Sequence, residues 1–278
     1  MYYSAAAVDA FQAIVLGIVQ GLTEFLPISS TGHLRIVPAF VGWEDPGAAF
    51  TAVTQMGTMA AVLLYFRKDL WTILRTWFKS LRDPSLRGEL DARMGWYIGL
   101  GTIPIGVFGF VFRDQIEESA RSLYLIGSTL IVLGLLLLVA EKVGKRTRSI
   151  EDINGRDAAV IGFAQALALI PGVSRSGATI TFGLFSGFDR AAAARYSFLL
   201  SVPAVVASGL FELRKIGGEG AVGFFETALA TLAAFIVGYA SIAWLLRWLT
   251  SHSTMVFVVY RVALGSLVLA LTAAGAIS

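Results

Sequence analysis

Apolar segments long enough to cross a lipid bilayer recur along this chain, and they constrain its fold more than any other feature. A helix needs about 20 mainly apolar residues to cross a hydrocarbon core roughly 30 Å thick. Six stretches meet that requirement, and charged residues bound each of them. They cover residues 49–66, 93–112, 121–140, 190–213, 222–249 and 254–276. We therefore predict six transmembrane helices.

Composition supports a membrane protein and excludes several other classes. Hydrophobic residues make up 56% of the chain and charged residues 15%, whereas a typical soluble domain carries about 25% charged residues. The net charge of +3 argues against a nucleic-acid partner. The chain has no cysteine and only two histidines, which excludes thiolate chemistry and a multi-histidine metal cage. The sequence thus predicts an all-α polytopic membrane protein.

Two further apolar stretches, about 9–43 and about 158–188, are interrupted by proline, glycine and hydroxyl residues. Pro27 and Gly32 bound the first interruption, and Pro171 and Gly177 bound the second. Each half is too short to span, and irregular backbone is tolerated at membrane depth only where protein encloses it. We predict two re-entrant helix–loop–helix hairpins. The alternative is a pair of kinked spanning helices.

The two interrupted stretches resemble each other at an offset of 145 residues. Matched pairs include Gly17 with Gly162, Gln20 with Gln165, Ser29 with Ser174, Thr31 with Ser176 and Gly32 with Gly177. We therefore predict repeat 1 over 1–140, a basic cytoplasmic loop over 141–157 and repeat 2 over 158–278. Each repeat holds one hairpin and three spans, so an odd number of crossings inverts the second copy.

The distribution of basic residues predicts the orientation of this topology. Seven lysines and arginines lie in 67–93 and five in 141–157. The opposite connections carry Arg113, Arg121, Arg214 and Lys215. Cytoplasmic loops are enriched in Lys and Arg. We expect both termini to lie outside the cytoplasm.

Ionisable groups at membrane depth are costly and are functional candidates by default. Gln20 and Glu24 are four residues apart and share one helical face just before Pro27. Two oxygen donors on one face can hold a hard divalent cation such as Mg²⁺ or Ca²⁺. The alternative is an ordinary interhelical hydrogen-bond pair.

The second interruption carries an arginine among hydroxyl residues. Arg175 lies between Ser174 and Ser176, with Thr179 one turn further on. Backbone N–H groups at a helix start and a guanidinium together suit a phosphate group. The alternative is a structural ion pair between Arg175 and Glu24.

The first interruption places Ser30 three residues before His33, with Ser29 and Thr31 alongside. A hydroxyl near an imidazole is typical of a base-activated nucleophile. Helix capping by the hydroxyl residues is the alternative. Arg261, about two turns into the last predicted span, either snorkels to the interface, pairs internally or joins the site.

Residues 20–33, with the sequence QGLTEFLPISSTGH, closely resemble the first signature of the bacterial undecaprenyl-diphosphate phosphatases, also called bacitracin-resistance proteins. Residues 171–179, with the sequence PGVSRSGAT, resemble the second signature of that family. Order, spacing and chain length agree, so the resemblance covers essentially the whole chain. It implies a multi-pass enzyme of the bacterial inner membrane that removes the terminal phosphate of undecaprenyl diphosphate. That reaction recycles the lipid carrier of peptidoglycan synthesis.

The resemblance also implies roles for single residues and a divalent cation. Glu24 would act at the metal or as acid or base, Ser30 or His33 at the nucleophilic step, and Arg175 on the diphosphate. The hydroxyls that would bind phosphate oxygens are Ser29, Thr31, Ser174, Ser176 and Thr179. The position of Gln20 is often glutamate in this family, which shifts the weight of metal binding to Glu24.

The competing function is a transporter or flippase of a lipid phosphate or small anion, because inverted repeats with broken helices also build secondary transporters. A transporter needs no nucleophile. The sequence leaves the oligomeric state open between a monomer and a homodimer.

Overall fold

The computed structural model describes residues 8–113, 115–116, 122–212 and 223–277. Within these ranges the chain is helical and forms no strand; an isolated bridge joins Arg148 to Phe188. The described α-helices are α1 (Ala10–Phe25), α2 (Ser30–Val41), α3 (Gly47–Tyr65), α4 (Arg67–Arg82), α5 (Leu90–Val111), α6 (Leu123–Val143), α7 (Gly155–Ala166), α8 (Arg175–Phe185), α9 (Arg190–Glu212), α10 (Phe224–Trp248) and α11 (Met255–Ala273). The all-α prediction is confirmed over this part of the chain.

Each of the six predicted spans coincides with one helix, namely α3, α5, α6, α9, α10 and α11. By length and composition, four of the described helices can cross a membrane: α5, α6, α10 and α11. Three residues used to predict orientation, Arg121, Arg214 and Lys215, lie outside the described residues. The helices agree with a multi-pass membrane protein.

The predicted loop 67–93 is not a loop. Residues Arg67–Arg82 form helix α4, and a short 3₁₀ turn at Pro84–Gly88 links it to α5. Helix α4 has apolar residues at helical spacing and no glycine or proline before Pro84. The basic residues predict on which side of the membrane the segment lies, whereas the apolar periodicity predicts the helix.

Both predicted hairpins contain two helices separated by a break. Helix α1 begins at a capping box in which the Asp9 side chain accepts from the Gln12 N–H at 2.8 Å. It ends before Pro27, and α2 starts at Ser30. Helix α7 begins after its N-cap Asn154, passes into a 3₁₀ turn at Leu167–Leu169 and stops before Pro171. Proline lacks an N–H and disfavours a helical residue before it, so both helices end at these points.

Glycines allow each hairpin to pack closely between longer helices. Gly17 of α1 lies against the backbone of Ala230 in α10, and Gly162 of α7 lies against the backbone of Gly101 in α5. A Cβ at either glycine would be less than 3 Å from that backbone. Helices α6 and α11 pack together as well. Small residues at such contacts let helices approach closely in membranes, and this packing encloses both breaks within the protein.

Candidate active site

The breaks of the two hairpins lie against each other. The hydroxyl of Ser176, in the first turn of α8, donates a hydrogen bond to the Leu26 carbonyl in the first break at 3.0 Å. Arg261 of α11 donates to Pro27 of the first break at 3.0 Å and to Val173 of the second at 3.0 Å. Residues 150 positions apart in sequence are thereby joined in one polar centre.

The two breaks also share one local backbone geometry. Ser29 caps α2 with φ of 76°, and Ser174 caps α8 with φ of 70°. The Ser29 hydroxyl accepts from the Gly32 N–H at 3.3 Å, and the Ser174 hydroxyl accepts from the Gly177 N–H at 3.1 Å. A non-glycine residue in such a rare conformation costs about 1–3 kcal/mol and persists where surrounding structure enforces it, often at functional sites.

The Glu24 carboxylate is the centre of the polar cluster. One oxygen, Oε2, accepts from the Ser30 hydroxyl at 2.6 Å and from Gln20 Nε2 at 3.1 Å. The other oxygen, Oε1, is hydrogen-bonded and ion-paired to the Arg175 guanidinium. The side chains of Glu24 and Arg175 are only 7% and 15% exposed. Two alternative interpretations of the sequence, the Gln20–Glu24 hydrogen bond and the Arg175–Glu24 ion pair, are thus both present in this structure.

The structure does not form the predicted pair between Ser30 and His33. The Ser30 hydroxyl donates to Glu24 instead, and both ring nitrogens of His33 bond elsewhere. Ser30 is the first residue of α2 and points back across the break to the end of α1, where Glu24 lies one turn before Pro27. The group placed to take a proton from Ser30 is therefore the Glu24 carboxylate.

His33 is held by two partners that fix its tautomer. Its Nδ1 lies 2.7 Å from the Ser29 carbonyl, and its Nε2 lies 2.7 Å from the Tyr260 hydroxyl. A carbonyl can only accept, so Nδ1 carries the proton, and in the neutral ring Nε2 accepts from Tyr260. The two rings stack at 5.6 Å with an interplanar angle of 8°. His33 thus holds the strained Ser29 cap in place.

Four of the five predicted phosphate-binding hydroxyls form pairs at the breaks, and the fifth, that of Thr179, does not. Ser29 bonds to Thr31 at 3.3 Å, and Ser174 bonds to Ser176 at 3.1 Å, so matched hydroxyl pairs flank the centre. Thr31 is exposed, whereas Thr179 is fully buried and bonds to Ser197 and to the Arg175 carbonyl. Thr179 thus bonds to the backbone of its own helix and to Ser197 of α9, and it stabilises α8 instead of contacting Glu24.

Arg261 is a central residue that sequence reasoning left undecided. Its side chain is fully buried and donates to five carbonyls, of which three lie in the breaks, at Pro27, Gly172 and Val173. Among the described residues no carboxylate lies within 4 Å of it. With Arg175 and Glu24, it gives the centre one excess positive charge. A lone arginine inside a predicted span was the signal available for it.

A divalent cation fits this centre only as a site shared with a bound ligand. The described residues hold no cluster of three or more His, Cys, Asp or Glu side chains. Gln20 Oε1 is buried without a hydrogen-bond partner, beside the Glu24 carboxylate. Mg²⁺ is commonly held by one or two protein oxygens together with substrate phosphates. These two side chains match that pattern, but they do not form a complete protein cage.

An apolar groove of about 810 Å³ begins at the second break. Pro171, four residues before Arg175, is one of its lining residues, together with Phe108, Phe163 and Phe182. These residues come from α5, α7 and α8, and Phe163 is 59% exposed. The groove therefore lies beside the second break, on an exposed apolar side of the helix bundle.

Comparison of the sequence with known proteins identifies one family. The family model described as "Bacitracin resistance protein BacA" matches residues 13–267. The undecaprenyl-diphosphatase of Nocardioides sp. strain JS614 is 58% identical, over 98% of this chain and 99% of that protein. Proteins of the same name from Thermobifida fusca and Prosthecochloris aestuarii are 57% and 54% identical, over 96% and 95% of this chain and 91% and 98% of their own lengths. The chain therefore belongs to the BacA family of bacitracin resistance proteins.

Proposed function

We propose that this protein hydrolyses undecaprenyl diphosphate to undecaprenyl phosphate and inorganic phosphate. This reaction recycles the lipid carrier of peptidoglycan synthesis and confers bacitracin resistance. The observation that carries the proposal is the Ser30 hydroxyl donating to the Glu24 carboxylate beside Arg175, at the junction of two membrane-buried breaks. Relatives that carry the name undecaprenyl-diphosphatase over nearly the whole chain support it.

The geometry supports a two-step phosphoryl transfer. In the first step Ser30 Oγ bonds to the terminal phosphorus and the bridging P–O bond breaks. Glu24 Oε2, 2.6 Å from Oγ, takes the hydroxyl proton and passes it to the departing lipid phosphate. In the second step water attacks the phosphoserine and transfers a proton through Glu24 to Ser30, which releases inorganic phosphate. A positioned base of this kind contributes about 10²- to 10⁴-fold to the rate.

The remaining polar groups bind and orient the diphosphate. Arg175 offers a forked guanidinium for phosphate oxygens. The hydroxyls of Ser29, Thr31, Ser174 and Ser176 form one hydrogen-bonded pair at each break, and they are the proposed donors to the same group. Arg261, which contacts both breaks, contributes positive charge. A Mg²⁺ or Ca²⁺ ion held by Glu24, Gln20 and the diphosphate would offset the charge that develops during transfer.

The apolar groove suits the prenyl tail of the substrate. Its lining includes Pro171, four residues before Arg175, and several aromatic side chains. A diphosphate bound at Arg175 would thus direct its hydrocarbon chain along α5 and α7 towards lipid.

We propose a topology of six spans and two re-entrant hairpins in the bacterial plasma membrane, with both termini outside the cytoplasm. The contacts between helices support two inverted repeats. The first hairpin packs on α10 through α1, and the second packs on α5 through α7. Helix α3 packs on α10, and its counterpart α9 packs on α5. Matched caps at Ser29 and Ser174 support the same relation.

Phosphate release from undecaprenyl diphosphate by purified protein in detergent with Mg²⁺ tests the proposed function. We expect wild-type protein to release phosphate and Ser30→Ala to lower kcat at least about 10³-fold, because the nucleophile is lost. Glu24→Gln keeps the shape of the side chain and should lower kcat about 10²- to 10⁴-fold. Ser251→Ala, in an exposed turn after α10, is the matched serine control and should retain wild-type activity.

Two outcomes would contradict the proposal at different levels. Wild-type protein that releases no phosphate, yet moves a lipid phosphate across vesicles, would indicate the transporter function instead. Full activity in Ser30→Ala would leave the phosphatase standing and remove Ser30 as its nucleophile.

A further inference from the structure

Helix α4 presents three different surfaces along its length. At about 100° per residue, Trp71, Leu74, Phe78 and Leu81 fall within one arc of about 80°. Their side chains are 67%, 49%, 58% and 46% exposed. A contiguous exposed apolar stripe of this kind indicates contact with lipid or with another protein.

A second arc of α4 is basic. Lys68, Arg75, Lys79 and Arg82 fall within about 60° of one another on the helix, next to the apolar stripe. All four are exposed, and none forms an ion pair with an acidic residue in the described part of the chain. The acidic residue of the helix, Asp69, is paired with Arg195 of α9. The basic arc is therefore available to an external anion.

The third surface fixes α4 on the rest of the protein. Ile73 is buried in the main core cluster, and Ser80 is also buried. Trp77 packs against Gly95 and against Trp96 of α5, with ring centroids 5.4 Å apart. Leu81 of the stripe and Trp96 line one small cavity, and Trp96 is 46% exposed, so the apolar stripe of α4 continues onto the exposed face of α5, a helix predicted to span. This continuity favours lipid over water as the surroundings of the stripe.

We propose that α4 lies in the membrane–water interface and binds acidic phospholipid headgroups. Helices that lie in the interface bury one apolar face at the headgroup boundary and carry Lys and Arg on the polar face. Both ends of α4 join helices predicted to span, since α3 ends at Tyr65 and α5 begins at Leu90. The apolar stripe enters the acyl boundary, and the four basic side chains contact phosphate groups at the surface. This binding surface is separate from the Glu24 centre.

Cysteine substitutions can test the placement of α4, because the chain has no native cysteine. Phe78→Cys and Thr72→Cys place a nitroxide label on the apolar stripe and on the opposite exposed side. In nanodiscs that contain phosphatidylglycerol, position 78 should favour collision with oxygen. Position 72 should favour collision with a water-soluble nickel chelate. Equal nickel accessibility at both positions, or shielding of position 78 from both reagents by a second protein surface, would overturn the proposal.

A charge-matched pair of triple variants tests the headgroup contact. Arg75, Lys79 and Arg82 are replaced by glutamine in one variant. Lys142, Lys145 and Arg156, three exposed cations of the 141–157 segment, are replaced in the control. Each basic residue at an anionic surface strengthens binding by about fivefold. Phosphatidylglycerol retained by purified protein should therefore fall at least fivefold in the α4 variant and less than twofold in the control. Equal retention in the two variants would contradict headgroup binding by α4.

Discussion

Arg261 holds the two breaks together through hydrogen bonds to carbonyls of both, and this role leads to a specific prediction. Arg261→Met keeps a long side chain of similar volume but removes every donor. The carbonyls of Thr129 and Leu130 lie within α6 and keep helical partners. Those of Pro27, Gly172 and Val173 lie in the breaks, and no other backbone donor reaches them among the described residues.

Three buried carbonyls thus lose their hydrogen-bond partner in Arg261→Met. At about 1–3 kcal/mol for each unsatisfied buried group, the loss amounts to roughly 3–9 kcal/mol. The substitution also removes a buried charge that has no carboxylate partner, and this recovers part of the lost stability. We therefore expect a net destabilisation near the lower end of the range, about 3 kcal/mol. Arg261→Lys keeps the charge but reaches fewer carbonyls, and it should fall between Arg261→Met and wild type.

Thermal unfolding in detergent and phosphate release measure these effects together. Arg156→Met, which replaces an exposed arginine in the first turn of α7, is the control and should unfold as wild type does. We expect Arg261→Met to unfold several degrees lower and to lose at least about tenfold in kcat at temperatures where it is folded, because the strained caps at Ser29 and Ser174 lose their support. An Arg261→Met protein with wild-type stability and kcat within twofold would refute the bracing role.

Three further predictions concern the polar centre and the groove. Gln20→Glu adds a second carboxylate beside Glu24 and should lower the Mg²⁺ concentration needed for half-maximal phosphate release at least several-fold, as measured by metal titration after chelation. Tyr260→Phe removes one hydrogen bond to His33, worth about 0.5–1.5 kcal/mol, and should reduce kcat about two- to tenfold with little change in KM; an unchanged kcat would show that His33 needs no second partner. Phe163→Asp puts a charge into the groove and should raise KM for a C55 diphosphate much more than for a C15 diphosphate in parallel assays, whereas an equal effect on both would exclude the groove as the tail site.

Local sequence signals predicted the helices and breaks well. Pro27 and Pro171 end helices α1 and α7, and the hydroxyl residues that follow cap the next helices. Such signals act within a few residues, so they can be seen in a single sequence. Helix α4 shows the limit of counting charge alone. Its basic residues predict a side of the membrane, but only its apolar spacing predicts that the segment is a helix.

The hydrogen-bond partners of Ser30 and His33 could not be predicted from the sequence, because they depend on the tertiary structure. Ser30 and His33 are three residues apart, yet the partner of the Ser30 hydroxyl is Glu24, on the other side of the break. Tyr260 reaches His33 from 227 residues away. Ser30 and His33 lie in the same helix, so their spacing allows a contact, but it does not show that the polar atoms of both side chains bond to other partners. The fold of the first hairpin brings Glu24 to Ser30, and the position of α11 brings Tyr260 to His33.

The charges of the centre also explain how a substrate can activate it. Without a ligand, Glu24 is occupied by Arg175, Ser30 and Gln20, and Arg261 adds a cation that no described carboxylate balances. In the proposed reaction, a diphosphate would bring the missing negative charge and would compete with Glu24 for Arg175. Once Arg175 turned to the phosphate, Glu24 Oε1 would be free for the proposed divalent cation, while Oε2 would still accept from the Ser30 hydroxyl. We therefore propose that the Arg175–Glu24 ion pair is the resting state of the centre, and that a bound diphosphate would free the carboxylate from it.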